Sequence, residues 1–166
     1  MTQSSTLARA SELAASFFAA CPTLIAESTG TPVVHEGDVD FQNVAIYPRP
    51  AIGVIVLTLH RVIFAEGESE GHTNEGFIMF TIVRDTPASV LGNPDQTQRD
   101  HAEFFGKVVD EFELKAKDGS IGDTLGILAL DVIEFGRPDA ELFKSVSECF
   151  ICQGRIHWGY RYGRNR

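Results

Sequence analysis

Two groups of residues have the types and spacing that chemistry requires. The first is Gly67-Glu68-Ser69-Glu70-Gly71, which fits the Gly-x-Ser-x-Gly pattern of a nucleophilic serine on a tight turn. That chemistry needs a strand running into a helix, whose first N–H groups stabilise an oxyanion. Here residues 77–84, FIMFTIVR, follow the serine and have strand composition. Glu68 and Glu70 would also repel a developing negative charge. The pattern therefore reads as a polar hairpin tip. The second group is His101-Ala102-Glu103 with Cys149-Phe150-Ile151-Cys152. A His and two Cys can hold zinc, and a nearby carboxylate can shuttle protons to and from a metal-bound water.

The second group resembles the signature of the zinc-dependent nucleoside deaminases. The resemblance implies His101, Cys149 and Cys152 as zinc ligands and Glu103 as the acid/base. The sequence departs from it in three places. Glu148 stands where that family has Pro before the first Cys. The two cysteines fall in a strand pattern, where positions three apart face opposite sides, whereas the family places them at a helix start. Fourteen residues follow Cys152, too few for the rest of that fold. One buried Cys with an incidental neighbour is the simpler reading, and a deaminase-like hydrolase is the alternative. His35, His60, His72 and His157 show no metal-binding spacing, and neither a phosphate loop nor a dinucleotide fingerprint is present. The expectation is a protein with no catalytic residue, metal or cofactor.

The elements around these residues follow from their periodicity. Leu7, Ala10, Leu13, Ala14, Phe17 and Phe18 recur at helical spacing over residues 6–20, with Pro22 as a stop. Residues 22–50 are broken by Pro22, Pro32, Pro48 and Pro50 and read as loop, with short strands near Val33-Val34 and over 41–47. Residues 51–65 are apolar and β-branched, apolar on both faces up to Leu59. Residues 66–76 carry four Glu and three Gly and read as a loop, and strand composition returns at 77–84. Together these predict a long β-hairpin. A second helix is expected from about 97 to 115. Phe104, Phe105, Val108, Val109 and Phe112 form its apolar stripe, and Asp100, Glu103, Lys107, Asp110 and Glu111 its wet face. Residues 127–135 read as a strand and 139–145 as a short helical turn. Residues 148–162 alternate strictly. Phe150, Cys152, Gly154, Ile156, Trp158, Tyr160 and Tyr162 fall on one side, and Cys149, Ile151, Gln153, Arg155, His157, Gly159 and Arg161 on a wet one. The fold class is α+β: a mostly antiparallel sheet with a long hairpin, flanked by an N-terminal and a central helix.

Composition narrows the classes. The chain has 166 residues, 43% hydrophobic, and reads as a single domain over 1–166 with a real core. A net charge of −9 disfavours a general nucleic-acid binder. No apolar run approaches the ~20 residues of a membrane span. The start, Met-Thr-Gln-Ser-Ser, lacks the basic region of a signal peptide, and three cysteines fit reduced thiols in a cytoplasm. Two charged segments are candidate interfaces. Glu66, Glu68, Glu70 and Glu75 mark the acidic loop. Arg155, Arg161, Arg164 and Arg166 mark the C-terminal segment, with 163–166 as a basic tail. An acidic and a basic patch on one chain permit head-to-tail contact between copies.

The layout of helix 6–20, Arg49-Pro50 leading into 51–64, helix 97–115 and the closing Ile156-His157-Trp158-Gly159-Tyr160 resembles that of the tail terminator, or tail completion, proteins of tailed bacteriophages. The resemblance is one of layout and covers residues 6–162. It implies a structural virion protein, assembled in the host cytoplasm. Its copies form a ring, a homohexamer, on the last ring of the tail tube. The ring binds the tail tube protein on one face and the head-tail connector on the other. DNA passes through the lumen without specific binding, which suits an acidic chain. Another small virion joining or baseplate protein is the alternative within the class.

Overall fold

The computed structural model describes residues 3–28, 32, 34–36, 49–56, 60–66, 69–117, 128–136 and 149–162. The strand expected at 41–47, the turn expected at 139–145 and the tail 163–166 lie outside them. The element order is α1 (Gln3–Ala20), α2 (Pro22–Glu27), β1 (Val34–Glu36), β2 (Ala51–Val56), β3 (His60–Glu66), β4 (Ser69–Asp85), α3 (Pro94–Lys117), β5 (Leu128–Gly136) and β6 (Cys149–Tyr162). The class is α+β, with a mixed sheet ordered β1-β2-β4-β6-β5 and β3 added on β4. β1 pairs parallel with β2, and the other pairs are antiparallel.

One face of the sheet carries the core. The β4 residues Ile78, Phe80 and Ile82 lie opposite Ile156, Gly154 and Cys152 of β6. Helix α1 lays Ala10, Ala14, Phe17 and Phe18 on this face, and α3 lays Phe104, Phe105, Val108 and Phe112. The helical spacing of those residues is what turns them all inward. Aromatic edges lock the layer: Phe18 meets Phe80 at 4.9 Å and Phe17 meets Phe112 at 5.1 Å, each between ring centroids.

The structure differs from the sequence reading in four places. Helix α1 ends before Pro22 as expected, but Pro22 is also a start. It opens α2 within the expected loop, because a missing N–H costs nothing in a helix's first turn. Helix α3 begins at Pro94 rather than near 97. Asn93 Oδ1 accepts from the N–H of Gln96 at 3.2 Å, which caps the helix. Gly92, with φ of 87°, supplies the backbone turn that leads in. The segment 66–76 is not a loop, since Ser69–Glu75 pair with Glu66–His60 across positions 67 and 68. Charged residues carry the same backbone N–H and C=O groups as any other, and β4 pairs here with β3 and, from His72 onward, with β6. Finally, the second face of β6 is not wet throughout. Ile151 is fully buried opposite Val83, itself opposite Ala51, so a small apolar patch lies on that face too.

Phe112 has no exposed surface and sits between α1 and the sheet core. Phe112→Ala is expected to lower the unfolding free energy by about 3–5 kcal/mol in denaturant titration. An unchanged midpoint would mean that α3 packs through a different face.

Candidate functional site

The densest polar cluster is built around Arg84, near the end of β4. Its neighbours Phe80 and Ile82 alternate onto the core face, so Arg84 enters the boundary between sheet and helices, where its side chain is only 6% exposed. A buried guanidinium must find partners for its donors. Nε donates to both carboxylate oxygens of Glu27, at 2.8 and 2.7 Å, and Nη2 donates to Glu27 Oε1. Nη1 donates to Asp100 Oδ2 at 2.6 Å and to His101 Nδ1 at 2.9 Å. The Phe104 ring lies 4.2 Å from the guanidinium carbon, in cation–π contact. Burial by itself would lower the Arg84 pKa. The hydrogen bonds and charges of Glu27 and Asp100 outweigh it, and the net shift is upward.

His101 is 1% exposed and stacks on Phe150 at 4.0 Å. With Nδ1 accepting from Arg84, the proton sits on Nε2, which faces Thr86 Oγ1 at 3.5 Å. Burial, reinforced by the Arg84 charge and opposed by Asp100, pushes the imidazole pKa down to about 4.

The other end of α2 is fixed by Glu111 of α3. Its carboxylate accepts from Cys21 Sγ at 2.7 Å, from the Thr23 N–H at 3.2 Å and from Thr23 Oγ1 at 2.6 Å. Cys21 and Thr23 flank the N-terminus of α2, whose first N–H groups lack helical partners. A carboxylate from another helix thus does the work of a cap. Burial, then the bond to Glu111, pushes the Cys21 thiol up to about 12. Burial alone does the same for Cys152. Both are thiols, not thiolates, at neutral pH.

Between α2 and α3 lies an open cleft of about 210 Å³, lined by Thr23, Glu27, Arg84, Asp100, Glu103 and Lys107 among others. Its inner polar groups are bonded to one another. Chemically, the arrangement is a clasp that fixes two helices to one strand.

The proposed zinc ligands are not brought together in this way. His101 spends Nδ1 on Arg84, Glu103 is exposed, and Cys152 lies in the core face of β6. Cys149 stands opposite Asp85, in a strand and not at a helix start. Among the described residues, no three His, Cys, Asp or Glu could hold a metal ion.

Of the candidate interface residues, Glu66, Glu70 and Glu75 fall in the paired β3–β4 ladder and Arg155 and Arg161 in β6. Glu68, Arg164 and Arg166 lie outside the described residues. Arg161 stands opposite Thr73, beside the acidic stretch. Arg155 is exposed, with its guanidinium 4.7 Å from the Phe77 ring centre.

Arg84, Glu27 and Glu111 were not singled out from the sequence. The one local signal was a lone Arg closing an apolar strand. Its partner Glu27 is 57 positions away, beyond any periodic pattern. A comparison with models of known protein families finds no match, and a comparison with curated proteins finds none.

The His101 geometry sets a pH dependence. The fold favours the neutral imidazole, so as pH falls the unfolded chain binds the proton first. Stability from this group is complete above about 6.5 and is lost as pH falls from there to about 4. Denaturant midpoints measured across that window should fall in the native chain. They should fall less in His101→Gln, which keeps a hydrogen-bonding group and removes the titration. Equal slopes in the two chains would contradict the assignment.

Proposed function

We propose that this chain is a structural assembly protein of a phage-like tail or neck, a tail terminator or tail completion protein whose copies close into a ring. In this reading β2, β3 and β4 act as one long hairpin. The ring caps the tail tube with one face and meets the head connector with the other, and DNA passes through the centre. The chain would be a component of the virion, with assembly geometry as its activity.

The observation that carries the reading is the reach of the β3–β4 ribbon. The described core on β4 begins at Ile78, whereas β4 starts at Ser69 and pairs with β3 over 69–75. The buried Trp158 stands opposite Gly76, so at ~3.3 Å per residue the stretch 69–75 extends roughly 20 Å beyond the described core. Among the described residues the outermost part, 69–71, pairs with β3 alone, and a two-stranded ribbon has little stability of its own in water. Neighbouring copies would give it support, and a ring is the arrangement in which every copy receives it. Two further features are compatible. The polar groups of the Arg84 clasp serve internal hydrogen bonds, as in a structural cluster. A net charge of −9 suits a lumen through which DNA slides.

Analytical ultracentrifugation of the purified full chain, with negative-stain images of the same sample, tests the reading. The expected result is a closed ring built from the 18.2 kDa chain, a hexamer by the resemblance. A monomer at every concentration, with no rings in the images, would contradict it.

A further inference from the structure

Helix α2 is tied to the fold differently from α1 and α3. It has six residues, Pro22–Glu27, with extended backbone on both sides: Cys21 has φ −70° and ψ 115°, and Ser28 has φ −88° and ψ 157°. We propose that α2 is a strap, which opens as one unit away from α3 while the sheet, α1 and α3 stay folded, and which bares one edge of the Arg84 guanidinium as it does so. This device is independent of the ring reading.

Attachment is the first argument. The longer helices hold the core through four buried side chains each, Ala10, Ala14, Phe17 and Phe18 on α1 and Phe104, Phe105, Val108 and Phe112 on α3. Helix α2 contributes Leu24, and its Ile25 is 42% exposed. Hydrophobic stabilisation scales with the apolar area removed from water, so α2 has the least to lose on opening. Its other holds are polar and sit at its two ends, Glu111 against Cys21 and Thr23, and Arg84 against Glu27.

Cooperativity is the second argument. A helix of six residues is not stable through its own hydrogen bonds. Without the grip of Arg84 on Glu27, little keeps 22–27 helical, so the segment opens together and does not fray residue by residue. Units of this kind open at a lower free energy than the whole fold.

The fate of Arg84 is the third argument. A buried guanidinium stripped of every partner would hold the strap shut. Here Nη1 keeps Asp100 and His101, both on α3, and the Phe104 ring stays in cation–π contact. Only Nε and Nη2 give up Glu27. That edge borders the open cleft of about 210 Å³ between α2 and α3, from which water replaces the carboxylate.

Two buried thiols report on the two kinds of opening. Cys21 immediately precedes α2, and Cys152 lies in the sheet core. The full chain is treated with iodoacetamide at neutral pH over denaturant concentrations below the unfolding transition, and each modified cysteine is located by tandem mass spectrometry. Cys21 is expected to react about 10-fold or more faster than Cys152, with a weaker dependence on denaturant because less surface is exposed. Glu27→Gln should speed Cys21 several-fold. Ile156→Val trims a fully buried residue of β6 and should speed Cys152 roughly 2- to 10-fold. It should leave Cys21 unchanged, because the core is intact whether the strap is closed or open. Equal rates at the two cysteines, or equal acceleration of both by Ile156→Val, would show that Cys21 is reached only through global unfolding and would overturn the strap. A Cys21 rate indifferent to Glu27→Gln would overturn the part assigned to Arg84.

Discussion

A buried guanidinium cannot be left alone, and the organisation of the helical layer follows from how this chain satisfies one. Arg84 leaves the sheet where the apolar ladder ends, and its donors reach α2 through Glu27 and α3 through Asp100 and His101. Helix α2 has six residues, too few to hold itself by its own hydrogen bonds. It is fixed at its far end by Glu27 and at its near end by Glu111. Hydrophobic burial holds the layers together without direction. The two carboxylates set where along α3 the short helix must lie. Their energetic role is best judged by what their loss would leave behind: an unpaired buried charge costs several kcal/mol, more than an intact pair contributes.

That clasp holds the helices over one part of the sheet. Ile78, Phe80 and Ile82 of β4 meet α1 and α3, while the same strand continues past the described core toward Ser69. One strand therefore serves two purposes. Its later residues carry the core, and its earlier residues pair with β3 and β6. The division is visible in the residue types: β-branched and aromatic residues dominate 77–83, and Gly, Glu, Asn and Thr dominate 69–76.

Much of this was legible in the sequence because it is periodic. The alternation of β6 predicted Cys152, Ile156 and Trp158 on the buried face, and the apolar stripe of α3 predicted Phe104, Phe105, Val108 and Phe112. Other features were obscured because one residue type has two local meanings. Pro22 can stop a helix or open one. The acidic segment 66–76 looked like a loop by composition, although its backbone groups can pair in a ladder like any others. The clasp was illegible for a different reason. Glu111 and Asp100 fall on the polar side of the α3 pattern, and only the tertiary arrangement turns them toward Thr23 and Arg84. His101 was noticed for its chemistry as a metal ligand. Its ring serves instead as an uncharged acceptor for Arg84, a role that its spacing to Glu103 does not encode.

The account stands on Arg84 and Glu27 acting as a pair across the sheet–helix boundary. A double-mutant cycle on unfolding free energy tests this most directly, with Arg84→Met, Glu27→Gln and the double variant measured against the native chain. The account predicts that the single losses do not add, with a coupling of about 1–3 kcal/mol. Effects that add within about 0.5 kcal/mol would show that the two residues act independently, and would contradict it.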